Sequence, residues 1–131
     1  MRLSKSDREK VRGMFDGRCA YCGGQLGERW HADHVEPVIR MGWLGRPPVA
    51  PENHRIENIM PACAPCNISK GSMQLETWRG WLAGHVTSLN RHHSIYRLAK
   101  AFGLVCETAS SVVFHFESAD RRALQENEHG R

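Results

Sequence analysis

Two C-x-x-C pairs, CAYC at residues 19–22 and CAPC at 63–66, constrain this 131-residue chain more than any other feature. Two-residue spacing lets both thiolates of a pair and the N–H groups of the intervening turn converge on one tetrahedral Zn²⁺, with Zn–S bonds of about 2.3 Å. The N-terminal stretch MRLSKSDREKVRG is charged where a secretion signal would be apolar, so paired C-x-x-C reads as zinc before disulfide. A redox dithiol and coincidence are the competing readings. Gly23 and Gly24 supply the loose turn after the first pair. Four thiolates from Cys19, Cys22, Cys63 and Cys66 would fill the coordination shell, which makes this zinc structural. Cys106, beside Leu104 and Val105, reads as a buried small apolar residue.

The spacing between the pairs is the second constraint. A zinc ribbon separates its pairs by about 15–20 residues, whereas 40 residues lie between Cys22 and Cys63. The zinc therefore joins the two ends of an insertion. Inside it sit His31-Ala32-Asp33-His34 and Asn58, and just beyond it Asn67 and Lys70. A carboxylate, a neutral imidazole, amides and an ammonium gathered there can bind a hard divalent cation and activate water.

Periodicity fills in the rest. Ser6–Asp16 reads as a helix with a Ser6/Glu9 capping box, one face of Val11, Met14 and Phe15, and Gly17 as its stop. Residues 28–40 read as extended chain interrupted at Pro37, residues 41–54 as a Gly/Pro-rich loop, and a helix is expected just after Cys66. Leu75, Trp78, Leu82 and Val86, then Ile95, Leu98, Ala99 and Phe102, recur at helical spacing, with Trp78, Trp81 and Phe102 assigned to the core. Alternation in residues 112–117 predicts a strand, and residues 118–131 a frayed polar tail. The expectation is a single domain over residues 1–131.

Charge points outward. The net charge is +4; residues 1–100 hold fifteen basic against nine acidic groups, and residues 101–131 three against five. A basic body suits a polyanion, nucleic acid first, although the same charge also serves plain solubility. No apolar run nears the roughly 20 residues a membrane helix needs, so the expected partner is not a membrane and the expected location is the cytoplasm.

With C-A-Y-C, then A-D-H-V-E-P, then E-N-I-M-P-A-C-A-P-C-N-I-S-K-G in order, residues 15–75 resemble the HNH endonuclease family. The closest likeness is to its four-cysteine zinc version, common in bacteriophages and prophages. The resemblance implies an α+β fold: a small ββα-metal core stapled by zinc, with an N-terminal helix, and a C-terminal extension of helices and a strand over residues 76–117. It implies metal-dependent hydrolysis of phosphodiester bonds in double-stranded DNA, leaving 3′-hydroxyl and 5′-phosphate ends, in a bacterial host cell. His34 takes the place of the general base, since an imidazole with its ordinary pKa of about 6.5 is mostly neutral at neutral pH. Asp33 and Asn67 take the places of ligands to a catalytic Mg²⁺ or Mn²⁺, and Asn58 that of the amide orienting the histidine. Lys70 would face a phosphate. Asn67 can equally cap a helix, and Lys70 can be a solvated helix residue.

Arg40, Arg46 and Arg55, in or beside the Gly/Pro-rich loop, are further candidates for DNA phosphates, and Trp43 for stacking or loop packing. His31, two positions before Asp33, would share a face with it on a strand, but the motif does not require it. His85, His92, His93, His115 and His129 read as ordinary surface or core residues. Two other readings stay open: an idle, zinc-stapled DNA-binding module acting beside phage terminase and portal proteins, and an RNA-cleaving toxin.

Overall fold

The computed structural model describes residues 3–36 and 55–118. Its elements run α1 (Lys5–Gly13), β1 (His31–His34), a 3₁₀ turn (Ile56–Asn58), β2 (Ile59–Ala62), α2 (Ala64–Lys70), α3 (Leu75–Ala83), α4 (His85–His92) and α5 (Ser94–Ala101). This is an α+β protein. Its described residues form two compact units, one made of residues up to 75 plus those from 113 onward, the other of residues 76–112. The expected extension at 76–117 is thus divided: its last residues return to the first unit.

In the first unit, β1 and β2 pair antiparallel, with His31 opposite Ala62, Asp33 opposite Met60 and His34 opposite Ile59. Pro61 is tolerated because a two-stranded sheet has only edges, and its carbonyl instead accepts from Ala20 N at 2.8 Å. That bond sews the first cysteine loop to β2. The loop itself closes through Gly23 N to Cys19 O at 3.0 Å and Cys19 N to Gly24 O at 2.8 Å. Gly23 has φ +76°, a conformation that favours glycine, and a Cβ there would lie 3.1 Å from His115 Nδ1 and crowd that side chain. Val11, Ala20, Tyr21, Leu26, Trp30, Ile59, Ala62 and Phe114 are buried.

Three local expectations are corrected. α1 starts before Ser6 because Ser4 is the cap, its hydroxyl accepting from Asp7 N at 3.1 Å. The helix after the second cysteine pair starts at Ala64, between the cysteines, with Pro65 in its first turn. Residues 112–117 are not a strand. Their N–H groups find other acceptors: His115 N bonds Tyr21 O at 3.0 Å and Phe116 N bonds Ala20 O at 2.8 Å. Residues 115–118 then form one helical turn, and Glu117 Oε1 accepts from Phe114 N at 2.9 Å, as in half a capping box.

In the second unit, α4 and α5 are amphipathic, but their apolar faces are not covered as expected. Only Trp78 is buried there; Trp81 is 54% and Phe102 78% exposed, and Ile95 and Leu98 are exposed too. Cys106 is likewise exposed rather than buried. Glu107 ties the segment after α5 back to α4 and α5, accepting from Asn90 Nδ2 at 2.6 Å and Lys100 Nζ at 3.2 Å. Arg40, Arg46, Trp43, the expected loop at 41–54 and all but the first residue of the expected tail at 118–131 lie outside the described residues. Among the described residues no helix is long and apolar enough to cross a membrane.

Candidate metal centre and adjoining polar site

The fold brings the four cysteines of the two pairs together. Their Sγ atoms all lie within 4.8 Å of one another, and among the described residues this is the group of metal-ligand side chains that forms. Cys22 Sγ and Cys63 Sγ are 3.8 Å apart, which matches the edge of about 3.8 Å for a tetrahedron with Zn–S bonds of about 2.3 Å. Cys19 is buried, Cys63 and Cys66 half-buried and Cys22 exposed.

Electrostatics makes the same demand for a cation. The Cys66 thiol donates to Cys19, holding the Cys19 pKa down to about 4, while that same bond pushes the Cys66 thiol far up; burial pushes Cys22 up. One thiolate is favoured and its neighbours are penalised, so four thiolates need a divalent ion among them. Four soft sulfur donors in this geometry suit structural zinc.

The polar site grows from the sheet beside this centre. Residues of one strand alternate between faces, and His31 and Asp33 lie on the face that meets α2. There Asn67 Nδ2 is 2.6 Å from His31 Nδ1, and Lys70 Nζ is 3.3 Å from Asp33 Oδ2. Asn67 and Lys70 are three residues apart and so share a face of α2. The Asn67 amide and the His31 imidazole thus share a hydrogen bond.

Asp33 is 6% exposed and its Oδ2 also accepts from Tyr21 Oη at 2.5 Å. Burial pushes the Asp33 carboxyl above the usual carboxylate range, while the Tyr21 hydroxyl and the Lys70 charge pull it back. Burial, then the Asp33 charge, raise the Tyr21 phenol, so it stays a proton donor. Lys70 is wholly buried, and its Nζ also donates to the His34 carbonyl at 2.9 Å. Of its two readings, Lys70 is therefore not the solvated helix residue; it is an internal side chain that ties Asp33 to the backbone of His34. No buried side-chain polar atom among the described residues lacks a partner.

Asn58 works on the other flank. Its Oδ1 accepts from Glu36 N at 2.9 Å, its Nδ2 donates to Glu36 O at 2.8 Å, and its own carbonyl accepts from Val35 N at 2.9 Å. Three bonds thus fix the chain immediately after His34, which is itself half-buried. Arg55 is exposed, and its carbonyl accepts from Asn58 N at 3.0 Å.

One member of the site, Tyr21, escapes sequence reasoning, and another, His31, is only weakly marked by it. Tyr21 stands between ligand cysteines, where it reads as a spacer. His31 carries a faint signal, its two-residue offset from Asp33. Phe114 and Phe116 brace Tyr21, with ring centroids 5.6 and 6.3 Å from its own, so the returning C-terminal segment supports the Asp33 clamp from behind.

Comparison with known proteins agrees with this geometry. Residues 19–73, which span the first cysteine pair, both strands and α2, match the family model described as HNH endonuclease. No curated protein and no solved structure gives a significant match. The match supports a nuclease-type function and, with the four cysteines, a metal-binding protein.

Proposed function

With residues 19–73 matching HNH endonucleases, we propose that this protein is a metal-dependent endonuclease hydrolysing phosphodiester bonds of double-stranded DNA. The observation that carries the reading is the gathering of Asp33, His34, Asn58 and Asn67 on one ββα unit beside the zinc centre. Zinc there shapes the site and takes no part in the chemistry, because its four cysteines leave no open position.

A second, catalytic cation fits the donors present. Asp33 and Asn67 offer a carboxylate and an amide oxygen, hard donors suited to Mg²⁺ or Mn²⁺. When bound, such an ion supplies Lewis-acid stabilisation of the charge that develops on the phosphate. His34 accepts the proton of the attacking water. Lys70 holds the main chain of His34 through its carbonyl, and Asn58 holds the next two residues through Glu36 and Val35. Together they set the imidazole before substrate arrives, and orientation of this kind lowers the barrier. Arg40, Arg46 and Arg55 are proposed to bind DNA phosphates.

One observation favours a second reading, the idle DNA-binding module recruited by phage terminase or portal proteins: the Asp33 carboxylate is already neutralised by Lys70. A single assay separates the two. Zinc-loaded protein is incubated with supercoiled plasmid and Mg²⁺, Mn²⁺ or chelator, beside His34→Ala. Nicked or linear product that needs the metal and disappears in the variant supports the nuclease. Intact plasmid, from folded protein that still retards DNA on a gel, supports the idle module. Loss of RNA with the plasmid intact would instead mark an RNA-cleaving enzyme.

A further inference from the structure

Lys70 is the most unusual residue in the site. A lysine that is wholly buried carries its charge only with partners, and both of its partners belong to the proposed machinery: the Asp33 carboxylate at 3.3 Å and the His34 carbonyl at 2.9 Å. The Asp33 oxygen it approaches is the one that Tyr21 also holds. Around this point the donors are one carboxylate, one ammonium, the neutral Asn67 amide and the His31 imidazole that Asn67 contacts. Among these groups the Lys70 charge offsets that of Asp33, and the nearest further negative charge is that of the cysteine centre, which also acts on Asp33. A divalent cation brought to this point meets a carboxylate already paired with a positive neighbour and finds no second anionic ligand among them, and hard cations depend on anionic ligands for affinity.

We propose that Lys70 is a resident cation that competes with the divalent metal for Asp33, so that metal binds weakly to the free protein and tightly only when a nucleic-acid phosphate supplies the missing negative charge. This rests on the reading of Asp33 as a metal ligand. The phosphodiester is then both substrate and ligand: metal and DNA each strengthen the binding of the other by the same factor, as linkage requires. The arrangement keeps the site from holding an activated metal centre in the absence of DNA.

Mn²⁺ binding, followed by the loss of the free-ion electron paramagnetic resonance signal, tests this without any cleavage. Zinc-saturated wild-type protein is compared with Lys70→Met and with the double variant Lys70→Met/Asp33→Asn. The expected result is Mn²⁺ affinity about tenfold or more higher in Lys70→Met, the effect of removing a unit charge a few ångströms from a divalent ion, and loss of the gain in the double variant. Equal or weaker binding by a folded Lys70→Met protein overturns the proposal while leaving Asp33 as a ligand. No Mn²⁺ binding in any form overturns both. Should Lys70→Met fail to fold, His34→Ala protein decides, titrated with Mn²⁺ alone and with a short DNA duplex. Duplex must tighten Mn²⁺ binding about tenfold or more, and unchanged affinity refutes the inference.

Discussion

Replacing Tyr21 by Phe removes one oxygen and leaves the ring among Phe114 and Phe116. The lost group is a hydrogen bond at 2.5 Å between two side chains that are 3% and 6% exposed. A hydrogen bond to a charged partner contributes about 1.5–3 kcal/mol, and Lys70 keeps the same Asp33 oxygen from being orphaned. The expected cost is therefore about 2 kcal/mol at alkaline pH. The cost should depend on pH, with a definite sign. Asp33 has a raised pKa in the fold, chiefly from burial, so the folded state loses stability as pH rises from the ordinary carboxylate range through that raised value. The tyrosine hydroxyl acts against this rise. Without it Asp33 ionises at still higher pH, and the variant loses more stability than wild type over the same interval. Urea unfolding of both proteins, zinc-saturated, across mildly acid to alkaline pH checks this. The two curves should approach each other at the acid end and separate toward the alkaline end. A difference below about 0.5 kcal/mol throughout, within the range of an ordinary surface substitution, or one that does not shrink on acidification, would refute the clamp.

Elemental analysis should find one zinc per chain, and chelation should abolish cooperative unfolding of the first unit. Structural zinc contributes about 10–16 kcal/mol in small zinc peptides, more than most domains have to spare; a chelated protein with unchanged near-ultraviolet circular dichroism would contradict this. Phe114→Ala should cost about 3–5 kcal/mol in urea unfolding, as expected for a buried aromatic. Asn58→Ala should cost about 1–3 kcal/mol through the two bonds lost to Glu36. It should also slow plasmid nicking with zinc content unchanged, and accelerate hydrogen exchange at the Glu36 amide.

The zinc centre was legible because C-x-x-C carries its geometry within four residues, and the only tertiary demand is that two such turns meet. The order of Asp33-His34, Asn58 and Asn67 pointed to the ββα core for a similar reason: each lies in or beside a short element, β1, the 3₁₀ turn before β2 and α2, and the last of these carries a cysteine of the second pair. The burial of Lys70 is not legible because a charged residue in a short helix is ordinarily solvated, and its enclosure depends on Asp33 arriving from β1. Tyr21 was missed because nothing local shows where a phenol will end. Residues 112–117 alternate as a strand does, but an extended segment docking on a loop buries every second side chain too, and Phe114 satisfies either pattern. The repeated apolar residues of α4 and α5 mark a helix face correctly; periodicity does not say whether anything covers it.

The return of residues 113–118 to the first cysteine loop makes the first unit discontinuous along the chain. During synthesis the cysteine pairs, both strands and α2 emerge early and can take up zinc, whereas Phe114 and Phe116 follow only after the whole of 76–112 has been made. The nascent chain therefore passes through a stage in which metal is held but the ring that steadies Asp33 has no backing. Closing a loop of this size costs little more than closing a shorter one, each doubling adding about 0.6 kcal/mol. The intervening helices can thus be lengthened, shortened or exchanged over evolution without disturbing the polar site, provided the last aromatic pair still reaches home.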